Sequence, residues 1–249
     1  MKGYLWASDT DFEGTTAPRA GEIVRLPDRG PPWLVVCHRP EAVIASKPGT
    51  LWLVEIVDPV SRAEQRNRRS ELVPGANYTR AVAVRVIEQL SRAILYGVHG
   101  DRIVAIIDRA ARITRQEAEA LGHMRHSDAP GANSNAWKRW LDRERLPVYG
   151  DMDYDGTLAA GQGGAESAVG RGFMAIHGAL TDRALALEGN GVLAEDPDDP
   201  EGAYLIEPWA GAAAVLSDAA FAFGAPELLS ENERATLAHG WLSVFERPP

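Results

Sequence analysis

The chain has 249 residues, 45% hydrophobic and 24% charged, with a formal net charge of −9. That length can bury a sizeable core as one large domain or two smaller ones. A single cysteine, Cys37, excludes an internal disulfide framework and a multi-cysteine zinc site, and the acidic balance argues against general nucleic-acid binding. No run of about 18 apolar residues predicts a membrane-spanning helix. The first residues lack the apolar core of a secretory signal, so a cytoplasmic location is the default expectation.

The first 90 residues read as strands. "WLVVC" (Trp33–Cys37) and "LWLVEIV" (Leu51–Val57) are short apolar runs bounded by Pro, Gly or Asp, as buried strands tend to be. "EAVIAS" between them is long enough only for a short helix, and "EIVRLP" (Glu22–Pro27) is a further strand ended by its proline. In "RAVAVRVI" (Arg80–Ile87), Val82, Val84 and Val86 alternate onto one face, which should meet the core.

From Asp101 the period changes. Ile103, Ile106, Ile107, Ala110 and Ile113 form one helical stripe, with Arg102, Asp108, Arg109 and Arg112 turned away. Asp101 is a natural N-cap. Thr114 and Glu117 have the spacing of a capping box, which opens a second helix through about Arg125. "HSDAPGANSN" (His126–Asn135) is rich in turn formers and predicts a domain boundary. Beyond it the chain reads as helix or loop. Trp137, Trp140 and Leu141 stripe a short helix, Ala165–Leu180 form another, and "WAGAAAVLSDAAFAFG" (Trp209–Gly224) is apolar nearly all round and should be central. Ser230 and Glu233 cap a last helix.

The expected fold class is therefore α+β. Residues 1–126 form a small mixed sheet with one or two packed helices, followed by a mostly helical, acidic domain at 127–249. The charge supports the division: residues 1–125 carry 18 Lys and Arg against 15 Asp and Glu, and residues 126–249 carry 8 against 20. The Arg-rich "SRAEQRNRRSE" (Ser61–Glu71) reads as a solvated loop rather than a phosphate-binding patch.

The sharpest chemical signal is "GDMDYDGTLAAGQ" (Gly150–Gln162). Asp151, Asp153 and Asp155 take loop positions 1, 3 and 5 of a calcium loop, Gly156 the turn, and Thr157 a carbonyl at position 7. Position 12 is Gln162, an amide where a bidentate glutamate is expected. A Ca2+ or Mg2+ site on Asp151, Asp153, Asp155, Thr157 and Gln162 is thus one reading, and an Asp/Gly turn that caps the chain is the preferred one, with no cofactor. "DYDGTL" also resembles the first motif of the haloacid-dehalogenase-like hydrolases, which implies Asp153 as nucleophile and Asp155 as general acid with magnesium. That family uses a downstream lysine, whereas the last lysine here is Lys138.

Glu55 interrupts an apolar strand, where an unpaired charge is costly. It is either a catalytic carboxylate at the mouth of a sheet or half of a structural pair with Arg80 or Arg85, and the pair is favoured. His123 and His126 read as a helix terminus rather than a metal pair. Cys37 and His38, as strand neighbours, point to opposite faces and form no dyad. Trp137 and Trp140 read as core or interface.

"MKGY" at the start, Phe12–Gly14, Cys37–His38, Leu53–Glu55 and "YTRAVAVRVIEQL" (Tyr78–Leu90) follow in a recognisable order. The N-terminal half resembles an uncharacterised bacterial and phage domain that begins M-K-G-Y and often precedes pentapeptide-repeat arrays. The resemblance implies lineage and fold, with no activity to carry over. The element order is also similar to that of small ADP-ribosyltransferase-like folds, which implies Glu55 as a catalytic glutamate acting on a nucleotide. The leading functional expectation is a non-enzymatic interaction or accessory protein. It has an acidic helical surface for a protein partner and self-association through its apolar helices. An enzyme around Glu55 and a cation-binding module at Asp151–Gln162 are the alternatives.

Overall fold

A computed structural model describes residues 1–8, 18–43, 45, 49–61, 77–144, 167–195 and 203–249. The fold is α+β, and the chain divides into two compact units, Met1–Leu95 and Tyr96–Pro249.

In the first unit, β1 (Lys2–Ser8), β2 (Ile23–Arg25), β3 (Leu34–Cys37), β4 (Gly49–Pro59) and β5 (Tyr78–Leu90) pair antiparallel throughout. β1 lies between β3 and β4, and the 13-residue β5 reaches both of them, so the small sheet expected from the sequence closes on itself as a barrel. β5 pairs with β3 up to Ala81 and then with β2 from Ala83 to Arg85. Three register shifts in the β4–β5 ladder give the bending that closure of so few strands needs. Register brings Leu5 opposite both Val36 and Trp52. With Ala7, Val54, Ala81, Val84 and Val86 these residues fill the interior. Each buried Val or Leu contributes roughly 1.5–3 kcal/mol. A one-residue slip would turn all of them outward. Strands β2 to β5 fall where alternation and apolar runs predict them. The strand at Lys2–Ser8 has no counterpart in the sequence reading, and the described residues of "EAVIAS" contribute to a 3-10 turn at Pro40–Ala42.

The second unit holds six α-helices among the described residues: α1 (Gly100–Ala110), α2 (Arg115–His123), α3 (Ala129–Glu144), α4 (Ala168–Glu188), α5 (Trp209–Gly224) and α6 (Glu231–Phe245). α5 is the centre, with α1, α2, α3, α4 and α6 all against it. Its residues from Val215 to Ala222 are buried on every side, as the nearly all-apolar composition requires, with Ser217 and Asp218 buried among them. The Ile103, Ile106, Ile107, Ala110, Ile113 stripe is buried as predicted. Both capping boxes form, Thr114 with Glu117 and Ser230 with Glu233. Asp101 sits in the first turn of α1, one residue beyond its start, and the N-cap is His99.

Ile103 explains one glycine that weakens α4 as an isolated helix and another at the end of α5. A Cβ on Gly172 would lie 2.7 Å from Ile103 Cγ2, and one on Gly224 2.7 Å from Cδ1 and Cγ1 of the same side chain. Helix propensity is given up so that three helices can close on one isoleucine. Trp137 stands edge-on to Trp140, Phe173 and Phe221, with ring centroids 5.8, 5.7 and 4.9 Å away.

Two differences from the sequence reading concern this unit. The break expected at His126–Asn135 lies within it. α3 begins at Ala129 and carries Pro130 in its first turn, where a missing N–H costs no helical hydrogen bond. α1 and α2, assigned from sequence to residues 1–126, therefore belong with the later helices: α1 packs on α4 and α5, and α2 on α5 and α6. The region is also not purely helical, since β6 (Leu193–Glu195) and β7 (Ala203–Leu205) form an antiparallel ribbon.

Candidate functional site

Glu55 lies on β4 directly opposite Arg85 on β5 and opposite Lys2 on β1. Its Oε2 accepts a hydrogen bond from Arg85 Nη1 at 2.9 Å, with 40% of the glutamate side chain and 49% of the arginine side chain exposed. The carboxylate is a solvated cross-strand pair with cations on both flanks, the structural alternative named from the sequence. Asp151, Asp153, Asp155, Thr157 and Gln162 lie outside the described residues, as does most of the Arg-rich loop. Among the described residues no group of three or more His, Cys, Asp or Glu is placed to hold a metal, and no helix is long and apolar enough to cross a membrane.

The remaining sequence candidates separate. Cys37 is buried, its Sγ donating to Ala42 O at 3.3 Å, and burial pushes its thiol pKa up. His38 instead meets Thr79 Oγ1 at 2.8 Å. His126 Nδ1 accepts from the Asp128 N–H at 3.1 Å and its ring stands edge-on to His239. Trp137 is in the core. The apolar helix α5, expected to serve self-association, is consumed inside its own unit.

Two charge arrangements in the helical unit were not anticipated. The first is buried. Asp218 on α5, 3% exposed, accepts from Arg125 Nε at 2.9 Å and Asn133 Nδ2 at 3.1 Å, tying the end of α2 and the start of α3 to the central helix. Burial raises its pKa, and the guanidinium and amide oppose the rise. Arg125 retains contact with solvent, so this is a clamp with one wet end.

The second is open. A cleft of about 580 Å³ lies between α1 and the C-terminal turn of the unit, lined by Arg109, Arg112, Trp241, Phe245, Glu246 and Arg247 among others. α6 ends with Glu246 in the left-handed conformation (φ 60°), which reverses the chain. Trp241 Nε1 then donates to Arg247 O at 2.8 Å, and Arg102 Nη1 donates to Pro249 O, so residues 246–249 form one wall. The floor is aromatic: Trp241 and Phe245 meet edge to face at 4.6 Å, and the Arg109 guanidinium lies 4.2 Å from the Phe245 centroid. Arg109 is anchored by Glu117. Arg112 uses only Nε, donating to Asp108 O at 2.9 Å, and its Nη groups and the whole Arg247 guanidinium have no partner among the described residues. The unit around them, Tyr96–Pro249, has 13 Lys and Arg against 24 Asp and Glu. An acidic body thus exposes a local group of arginines above an aromatic floor. Such a group holds anions through forked, charge-assisted hydrogen bonds.

The i, i+3 spacing of Arg109, on the polar face of α1, and Arg112, in the turn just after it, was visible in the sequence. Arg247, more than a hundred residues on, reaches them only through the αL reversal at Glu246, which no local motif announces. Comparison of the chain with protein-family models, with curated proteins and with solved structures finds no match.

Proposed function

We propose that the chain is a non-enzymatic interaction protein whose helical unit docks an anionic group of a protein partner in the cleft between α1 and the C-terminal turn. The observation that carries this reading is the meeting of Arg109, Arg112 and Arg247 over Trp241 and Phe245, with Arg112 Nη and Arg247 unpartnered among the described residues in a unit of opposite net charge. A carboxylate or phosphate entering there gains hydrogen bonds to charged donors, each worth about 1.5–3 kcal/mol net. The aromatic floor excludes water on one side and strengthens them. The Glu55–Arg85 pair supports a structural role for Glu55 and lends nothing to an enzyme on that strand.

Calorimetric titration with pyrophosphate and with succinate tests the proposal. Saturable binding that weakens with salt is expected for wild type and for Arg234→Ala, an exposed control on α6, and its loss is expected in Arg112→Glu/Arg247→Glu. Equal binding by all three proteins, or none to wild type, would refute it.

A further inference from the structure

We infer that the occupant of this cleft is the acidic segment Glu195–Glu201 of a second copy of the chain, an inference that rests on the anion-docking reading above. The segment E-D-P-D-D-P-E joins β6 to β7 and places five carboxylates in seven residues, with Pro197 and Pro200 between them. It is the densest run of acid in the sequence. The cleft is its chemical complement. Arg112 Nη and Arg247 are open to a ligand beside the Glu117-paired Arg109, and more than one guanidinium matches several carboxylates close together in sequence better than a single isolated anion. Pro197 and Pro200, with their fixed φ, lower the ordering cost of docking. Pairing a strongly acidic segment with a basic cleft also removes the repulsion that two bodies of net negative charge otherwise feel.

The contact is small against a standard interface of roughly 1,600 Å², so the association is weak and salt-sensitive. Each copy owns one segment and one cleft. Reciprocal exchange about a twofold axis would use both.

Light scattering coupled to size exclusion, run at low salt from micromolar to about millimolar full-length protein, reads the mass. Wild type is expected to rise from one chain toward two, whereas Arg112→Glu/Arg247→Glu and Asp196→Asn/Asp198→Asn/Asp199→Asn each remain at one. A labelled peptide of residues 193–203 should bind the full chain in trans, about tenfold or more weaker to Arg112→Glu/Arg247→Glu. Wild type that stays single at every concentration overturns the inference, as does association that persists in both variants. So does a peptide that binds only the Asp→Asn variant, because each copy would then fill its own cleft. If pyrophosphate or succinate binds the cleft while the chain stays single, this inference falls and the docking function stands. If neither anion binds, the docking function itself falls.

Discussion

In the barrel, Glu55 and Arg85 face each other across β4 and β5 with nearly half of each side chain in water, and Asp58 is shared by Arg25 and Arg29 on the same kind of surface. In the helical unit, Asp218 is 3% exposed and joins Arg125 to Asn133 beneath the helix ends. The chemistry of the pairs is alike and their surroundings are not. Water already screens the barrel pairs, so they add little to the fold. Asp218 has given up its hydration, and removing one partner there strands the other. The barrel is held by the register of its apolar interior, whereas the helical unit also depends on a polar joint.

The widest test of that contrast is Arg125→Ala, which strands the buried Asp218 carboxylate and should cost about 3–5 kcal/mol, measured by denaturant unfolding with hydrogen exchange to place the loss in α2, α3 and α5. Asp218→Ala leaves only the partly solvated Arg125 and Asn133 without their acceptor and should cost less, about 1–3 kcal/mol. If Arg125→Ala is no worse than an exposed-pair deletion, the joint is not structural. Trp137→Ala should cost a similar amount, about 3–5 kcal/mol, by emptying the ring cluster with Trp140, Phe173 and Phe221. Gly172→Ala is smaller. Its new Cβ meets the stiff, buried Ile103 rather than a flexible chain end, and overpacking of that kind costs about 1–3 kcal/mol. A neutral or stabilising result would mean that α1 and α4 can separate, and that the glycine answers to something other than close packing.

These residues also mark what could be read in advance. β3, β4 and β5 were legible because alternation and apolar runs are local signals, and the α1 stripe and both capping boxes for the same reason. β1 was not: Gly3 interrupts its pattern, and its strand character comes from lying between β3 and β4. The boundary was misplaced because turn formers between His126 and Asn135 look like a break, although Pro130 is acceptable in a first helical turn. Neither the Asp218 clamp nor the cleft could be seen, since Arg125 and Asp218 are 93 residues apart and Arg247 is farther still from Arg112. Packing of α5 brings the first pair together, and the reversal at Glu246 the second.

Acid separates the charge arrangements by sign. Glu233 is held at about 2, below its usual 4.5, chiefly by the hydrogen bond from Arg139 and then by the Ser230 cap and Asn135. A carboxylate lowered on folding contributes stability in full above its unfolded value, and that contribution drains as pH falls from about 4.5 toward 2. Asp218 runs the other way: burial raises its folded pKa, so its protonation favours the folded state as pH drops through that raised value. Glu233→Gln should therefore flatten the loss of stability between pH 4.5 and 2, and Asp218→Asn should not. An unchanged acid limb in Glu233→Gln would show that the Arg139–Glu233 pair is not coupled to folding.

The smallest expected effect is the most informative about Glu55. With water on both partners, Glu55→Gln should lower stability by about 0.2–1 kcal/mol, a shift of the melting temperature of less than about 4 °C for a chain of this size. Arg85→Gln should match it, and the double variant should show a coupling no larger than either, read from a double-mutant cycle. Measured beside Arg125→Ala, the pair would put a number on what burial adds to one and the same kind of ion pair. A loss several times larger would mean that Glu55 is buried in the working form of the protein. The strand would then again be a candidate for chemistry, because an ion pair that water already satisfies has no reason to be costly to break.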